Sequence, residues 1–346
     1  MSLKDFIQRS VILIGLAIVV LLLAFGIDFF FMLFASVVLA VLLISISKKI
    51  SGWLKVKYPG GLAISVLLII IGIVAISLLI YPSLDDQVTQ LNKEIPQSLD
   101  KLQEQLSHTS WGKDLLKNMK APEKMLKGNK EDVINSTKVI FTTTLSTLAN
   151  IFVVIVIALF FAADPDLYKR GFLYLIPDKN VRKADELIKK CYKTLANWLK
   201  GKFLSMLVVG VLTYLGLLLL NFPLPLVLSI IAMILTFIPN IGPIIAMVPA
   251  MLIGLVDGPE RSLYVAGLYI VVQTLESYLI TPYINKEVVD LPPALTLAWQ
   301  VFLGIFLGGL GLFMATPLLA VIFVIVNDLY VNDYLRKNTN SDNHNA

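Results

Sequence analysis

From Phe203 to Val256 the chain runs 54 residues without a single charged side chain. A bilayer core about 30 Å thick takes up roughly 20 apolar helical residues per crossing. This run is too long for one crossing, so it must contain turns. Proline and glycine mark where they fall, because both interrupt the backbone hydrogen-bond ladder. One cluster is Asn221-Phe222-Pro223-Leu224-Pro225 and the other is Ile238-Pro239-Asn240-Ile241-Gly242-Pro243. Six further runs lack charge: Val11–Ile27, Phe29–Ser47, Gly61–Tyr81, Val139–Ala163, Ser262–Leu275 and Leu291–Asn327. Charged residues make up 15% of the chain, against about 25% in soluble domains. The expected fold is therefore all-α, a polytopic membrane helical bundle with about eight transmembrane helices at roughly 20 residues each.

Charge placement orients the spans. Segment 48–57 carries Lys48, Lys49, Lys55 and Lys57 and no acid, and segment 164–202 has ten Lys/Arg against five Asp/Glu. Basic loops stay on the cytoplasmic side. Segment 82–138, with nine basic and nine acidic residues, then falls outside, and both termini fall inside. The run from Val11 has no small-residue cleavage site followed by a polar mature region. Residues 11–47 read as a retained hairpin turning at Gly26-Ile27-Asp28. The net charge of +5 sits where anionic lipid head groups lie, so membrane lipid, not nucleic acid, is the expected partner.

Six regions follow: an N-terminal hairpin and third span over 1–81, an extracytoplasmic helical insert over 82–138 and a fourth span over 139–163. A basic amphipathic cytoplasmic region covers 164–202. A C-terminal transport region covers 203–330, and a cytoplasmic tail covers 331–346. In the insert, Leu84, Val88, Leu91, Ile95, Leu99, Leu102 and Leu106 recur at helical spacing, divided by Pro96. In the cytoplasmic region, Val181, Ala184, Ile188, Cys191, Leu195 and Trp198 form a second stripe. It follows Pro177, with Asp178 as the expected N-cap. Such a helix lies in the membrane interface.

The transport region contains two overlong apolar segments, 225–256 and 291–327, with similar punctuation. Leu224-Pro225 precedes Gly242 and Pro249, and Leu291-Pro292 precedes Gly311 and Pro317. The second also contains Gly308 and Gly309 at its break. Paired, interrupted segments of this kind point to a transporter binding region. Two ordinary helical hairpins would give the same pattern. Each is either re-entrant or a pair of full spans, which raises the count to about ten spans at roughly 20 residues each. One acid, Glu276, stands in an apolar setting beside Gln273 and Tyr278, and an intramembrane carboxylate faces the bundle interior or water. Hydrogen bonding across helices accounts for Gln273, Asn240 and Gln300.

Several chemistries are excluded. The chain has one cysteine, Cys191, and two histidines, His108 and His344, which lie outside the apolar runs. It has no GxxxxGK(S/T) loop, no HExxH, no GxSxG and no GxGxxG after a strand. No metal, cofactor or catalytic residue is expected.

The run Phe237-Ile238-Pro239-Asn240-Ile241-Gly242-Pro243-Ile244-Ile245-Ala246-Met247-Val248-Pro249-Ala250 resembles the autoinducer-2 exporter family of bacterial membrane proteins. Glu276-Ser277-Tyr278-Leu279-Ile280-Thr281-Pro282 adds to the likeness, as do Gly308-Gly309-Leu310-Gly311 and Ala315-Thr316-Pro317-Leu318. The resemblance implies a homo-oligomeric transporter of the bacterial inner membrane, with a pentamer as the candidate size. Members are linked to export of autoinducer-2, others to proton-coupled extrusion of Na⁺ or Li⁺. Many members carry Gln where this chain has Lys202, after Gly201, so a cytoplasmic-side ligand is not carried over.

Three readings follow. The first is a secondary transporter or channel-like exporter of a small polar solute. Pro239, Asn240, Gly242, Pro243, Pro249, Gly308, Gly309, Gly311 and Pro317 would shape its pathway, and Glu276, with Gln273 and Tyr278, would gate or couple. The second is a Na⁺(Li⁺)/H⁺ antiporter exchanging at Glu276. The third is a non-transporting scaffold acting through the 84–138 helices.

Overall fold

The computed structural model describes residues 26–78, 81, 87, 148–280 and 291–335. The N-terminal span up to residue 25, the insert apart from Gln87, segment 281–290 and the tail beyond 335 lie outside the described residues. Every regular element among those described is helical.

Helix α1 is Ile27–Leu54. The expected turn is shortened: Gly26 is its last residue, and its carbonyl already accepts from the Phe30 amide at 2.9 Å. Ile27 and Asp28 belong to the helix, and the Asp28 carboxylate suits the positive N-terminal end of the dipole. Helix α2 is Tyr58–Leu78 and α3 is Leu148–Ala163. Helix α4, Pro165–Tyr174, departs from α3 at 85°. The bend has a local cause. Pro165 cannot continue the ladder of α3, and the Asp164 carboxylate accepts from the Leu167 amide at 3.0 Å, so it caps a new helix.

Helix α5, Asp178–Leu219, is one uninterrupted helix of 42 residues, about 63 Å long at 1.5 Å per residue. Its basic part continues without a break into its apolar part across 202/203. Asp178 is the first helical residue and not the N-cap; the Pro177 carbonyl accepts from the Asn180 amide at 2.8 Å. Helices α6 (Pro225–Leu235), α7 (Ile241–Asp257) and α8 (Pro259–Leu275) follow, then a π-turn over Glu276–Ile280. Helix α9, Pro293–Val326, leads into a second π-helical stretch, Asn327–Leu335. By length and composition, α1, α2 and α5 among the described residues can each cross a membrane, as can the α9 segment taken as one piece, and a fifth if α3 and α4 form one bent span.

The chain divides into two compact units, one of 1–62, 148–195 and 291–346, the other of 63–147 and 196–290. In the first, α1 packs against α9, burying Phe31, Ala35, Val38 and Val41. The Tyr58 hydroxyl donates to the Ala162 carbonyl at 2.6 Å, fixing the start of α2 to the end of α3.

In the second unit, α6, α7 and α8 pack in sequence around Leu228, Ala246, Ala250, Ile253 and Val265. Lipid is as apolar as leucine, so helix packing rests on close approach through small residues. At Gly254 a Cβ would come within 2.8 Å of the Ser262 Cα. The α7–α8 turn at Gly258, with φ +129°, brings these backbones together. Gln87 also belongs to this unit. Its Oε1 accepts from the Leu226 and Val227 amides, each at 3.2 Å, which are among the unpaired donors at the start of α6. Replacing Gln87 by Leu is expected to cost about 1 kcal/mol, the usual value of a lost N-terminal cap. Thermal unfolding in detergent measures this, and an unchanged midpoint would show the contact to be unimportant.

Candidate functional site

Both overlong segments are hairpins. In the first, Leu224 takes a left-handed conformation (φ 58°) and Pro225 opens α6. Eleven residues make α6 about 16 Å long, roughly half a hydrocarbon core, so it does not cross alone. The Thr236 hydroxyl donates to the Ala232 carbonyl at 2.6 Å as α6 ends. Phe237 and Ile238 are buried at the break. Asn240 is exposed, with φ 64° and ψ −51°. It is the central residue of a three-residue turn in which the Ile241 amide donates to the Pro239 carbonyl at 2.7 Å. Gly242 follows, its amide donating to the Ile238 carbonyl at 3.0 Å. A Cβ there would lie 1.8 Å from the Leu235 carbonyl oxygen, so only glycine lets α7 begin so close to the end of α6. Pro243 sits in the first turn of α7, where a missing amide costs little. Pro249 is half-buried inside α7.

The second hairpin is hidden inside α9. Gly308 has φ 59° and ψ −141°, a conformation open to glycine alone among common residues. A Cβ on Gly311 would lie 2.3 Å from the Leu303 carbonyl oxygen, and one on Gly304 would lie 3.0 Å from Leu312 Cγ. In a straight helix residues 303 and 311 would be about 12 Å apart, so the chain doubles back at Gly308. Gln300, fully buried, closes the pair by donating to the Thr316 hydroxyl at 3.1 Å. Pro317 is buried in the returning arm, and Gly309 is exposed with open space around it.

Glu276 opens the π-turn after α8 and is 7% exposed. The Ser205 hydroxyl, from α5, donates to its Oε1. Gln273 Nε2 and the Ser277 hydroxyl reach its Oε2 at 3.1 and 3.3 Å. The ammonium of Lys202, half-buried on α5, interacts electrostatically with the carboxylate. A wide turn of this kind, common at functional sites, aims Glu276 at α5. Trp198, Lys202 and Ser205 share one face of α5 at i, i+4 and i+7. Trp198 meets Phe237 edge-on, with centroids 5.4 Å apart. The α6–α7 break and the Glu276 cluster therefore both dock on one stripe of α5, about 10 Å apart along its axis.

Gln273 reaches Glu276 within its own turn and not across helices, whereas Tyr278 is 77% exposed. Ser205 and Lys202 were not among the expected site residues. Their i, i+3 spacing at the start of an apolar run was the available signal. Among the described residues no group of three or more His, Cys, Asp or Glu could hold a metal ion.

Long apolar helices, interrupted hairpins and a buried carboxylate network define a polytopic membrane protein with the layout of a transporter. The chain belongs to the AI-2E transporter family, whose model matches residues 11–330. It is similar to YueF of Bacillus subtilis strain 168, at 26% identity over 84% of this chain and 82% of YueF. It is also similar to YhhT of Escherichia coli K12, at 25% identity over 77% of this chain and 75% of YhhT. YrrI of B. subtilis is 26% identical over 47% of the chain and 46% of YrrI. The names of all three refer to transport and give no substrate.

Proposed function

We propose that this protein is a secondary transporter or channel-like exporter of a small polar solute in a bacterial inner membrane, with cytoplasmic termini and a homo-oligomeric assembly. Autoinducer-2 is the first candidate solute, because the family is named for it. The observation that carries the reading is the shared docking stripe on α5. The broken α6–α7 hairpin offers helix ends to a polar solute. Two turns along the same face, Glu276 is held by hydrogen bonds that can rearrange. Pro239, Asn240, Gly242 and Pro243 shape the break, and Glu276 with Gln273 gates it. In the other unit the proposal gives Gly308 the turn, and Gly311 and Pro317 the close packing, of a second such hairpin.

The Glu276 environment favours this reading over Na⁺ or Li⁺ exchange. The carboxylate already accepts from three donors, and the nearby Lys202 ammonium repels a second cation. Purified protein in vesicles, with labelled autoinducer-2 on one side, tests the proposal. Solute flux is expected in the wild type. The E276Q variant should lower it about ten-fold, because a hydrogen bond to a charged group is worth about 1.5–3 kcal/mol. Sodium-driven proton flux that disappears in E276Q would establish the antiporter instead.

A further inference from the structure

The charged side chains among the described residues of the second unit are Lys200, Lys202, Asp257, Glu260, Arg261 and Glu276. Arg261 pairs with Asp257 at 3.1 Å, at the α7–α8 turn. That turn is the far end of α8, since from residue 260 to residue 276 a helix advances about 24 Å. Lys200 is exposed and lies about 200° around α5 from Lys202. Among the described residues this leaves one anion and one cation at the Glu276 end, and the carboxylate acts electrostatically on the Lys202 ammonium.

Glu276 is 7% exposed. The donors Ser205, Gln273 and Ser277 that reach it are neutral groups. They satisfy lone pairs and leave its charge in place. A charge withdrawn from water is costly unless an opposite charge stands near it. Lys202 supplies that charge from α5, three positions before Ser205 and on the same face. The surroundings are also rich in oxygen. Each serine hydroxyl keeps an acceptor lone pair while it donates, and the Gln273 amide has a carbonyl oxygen. With the carboxylate, these are the ligand types that a hard cation takes. A single carboxylate matches a single positive charge.

We propose that Lys202 is a tethered counter-cation for Glu276, holding the place that a free monovalent cation would otherwise take, so that the gate works without a coupling ion. The inference rests on the transporter reading only for that last consequence.

Binding of radiolabelled Na⁺ to the purified full chain in detergent tests it, with no solute present. The wild type is expected to retain no Na⁺ above background. K202Q removes the ammonium and adds an amide oxygen. It should hold about one Na⁺ per chain, with the site about 90% filled at ten times the apparent Kd. K202M, which removes the charge and adds no oxygen, should hold Na⁺ more weakly and is the second variant should K202Q not fold. K202R, which keeps the charge, should hold none, and neither should K202Q/E276Q. NaCl should raise the thermal midpoint of K202Q above that in choline chloride and leave the wild-type midpoint unchanged. Equal Na⁺ retention by wild type and K202Q, no retention by either K202Q or K202M, or retention that persists in K202Q/E276Q would overturn the proposal. Solute flux in vesicles is a separate readout. Wild-type flux should be the same in choline as in Na⁺, and K202Q flux should require Na⁺. Wild-type flux that stops in choline would also overturn the proposal. Flux absent from every variant would defeat the transporter reading and leave the Na⁺ result standing.

Discussion

Replacing Gly242 by alanine is expected to unfold the α6–α7 hairpin locally and abolish transport. The Cβ would lie 1.8 Å from the carbonyl oxygen of Leu235 and 2.6 Å from its carbonyl carbon. These are backbone atoms, so no side-chain rotation relieves the clash. The start of α7 must move away from the end of α6, which breaks the Gly242–Ile238 hydrogen bond and shifts the turn that seats Phe237 on Trp198. Overpacking of a close contact costs about 1–3 kcal/mol and occasionally more, and this contact is tight enough to reach the upper figure. Gly267 on α8 is the control, since a Cβ there meets nothing within 4 Å. G267A should hold or gain stability, by at most about 1 kcal/mol from helix propensity. Thermal midpoints of the two variants in detergent, read beside solute flux in vesicles, decide the point. A G242A protein as stable and active as G267A would show that the hairpin is not built on this approach.

The second large effect is expected at Gly311. Its Cβ would meet the Leu303 carbonyl oxygen at 2.3 Å and Leu307 Cβ at 2.7 Å, so G311A should splay the arms of α9. Gln300 is fully buried, and its bond to Thr316 would be lost. A stranded buried amide costs about 1–3 kcal/mol beyond the steric term. Gly308 should respond for a different reason. Space around it is open, but its φ of 59° with ψ of −141° strains any L-residue by about 1–3 kcal/mol. G309A, with neither constraint, should stay within about 0.5 kcal/mol of wild type. The expected order of loss is Gly311, then Gly308, then Gly309. Equal effects at the three positions would mean that α9 does not fold back at Gly308.

Much of this was legible in the sequence because the signals are local. A charge-free run of 54 residues requires lipid or a buried interior wherever it occurs, and proline and glycine interrupt a helix whatever lies around them. The breaks at 221–225 and 238–243 therefore fall as expected, and of the two settings open to Glu276, the interior or water, the structure takes the first. The expected turn at Gly26-Ile27-Asp28 was two residues too generous at its helical end, since Ile27 and Asp28 already lie in α1 and an acid is welcome in a first turn. Tyr278 was grouped with Glu276 by proximity along the chain, but the π-turn rotates it out to 77% exposure. The continuity of α5 across 202/203 was not legible either. A fall in charge density marks where a helix enters lipid, and the backbone need not stop there.

The sequence by itself determined that this is a helical membrane protein, where its helices are interrupted, and that Glu276 stands in an apolar setting. Those properties follow from transfer of residues into lipid and from backbone chemistry, and both act over a turn or two. Only the tertiary structure decided that the chain doubles back at Gly308, that the α6–α7 break and Glu276 share one face of α5, and that Ser205 holds the acid from 71 positions away. A hydrogen bond between distant segments depends on how helices pack. That packing is set by close contacts at residues such as Gly242, Gly254 and Gly311, which hydropathy and spacing do not encode.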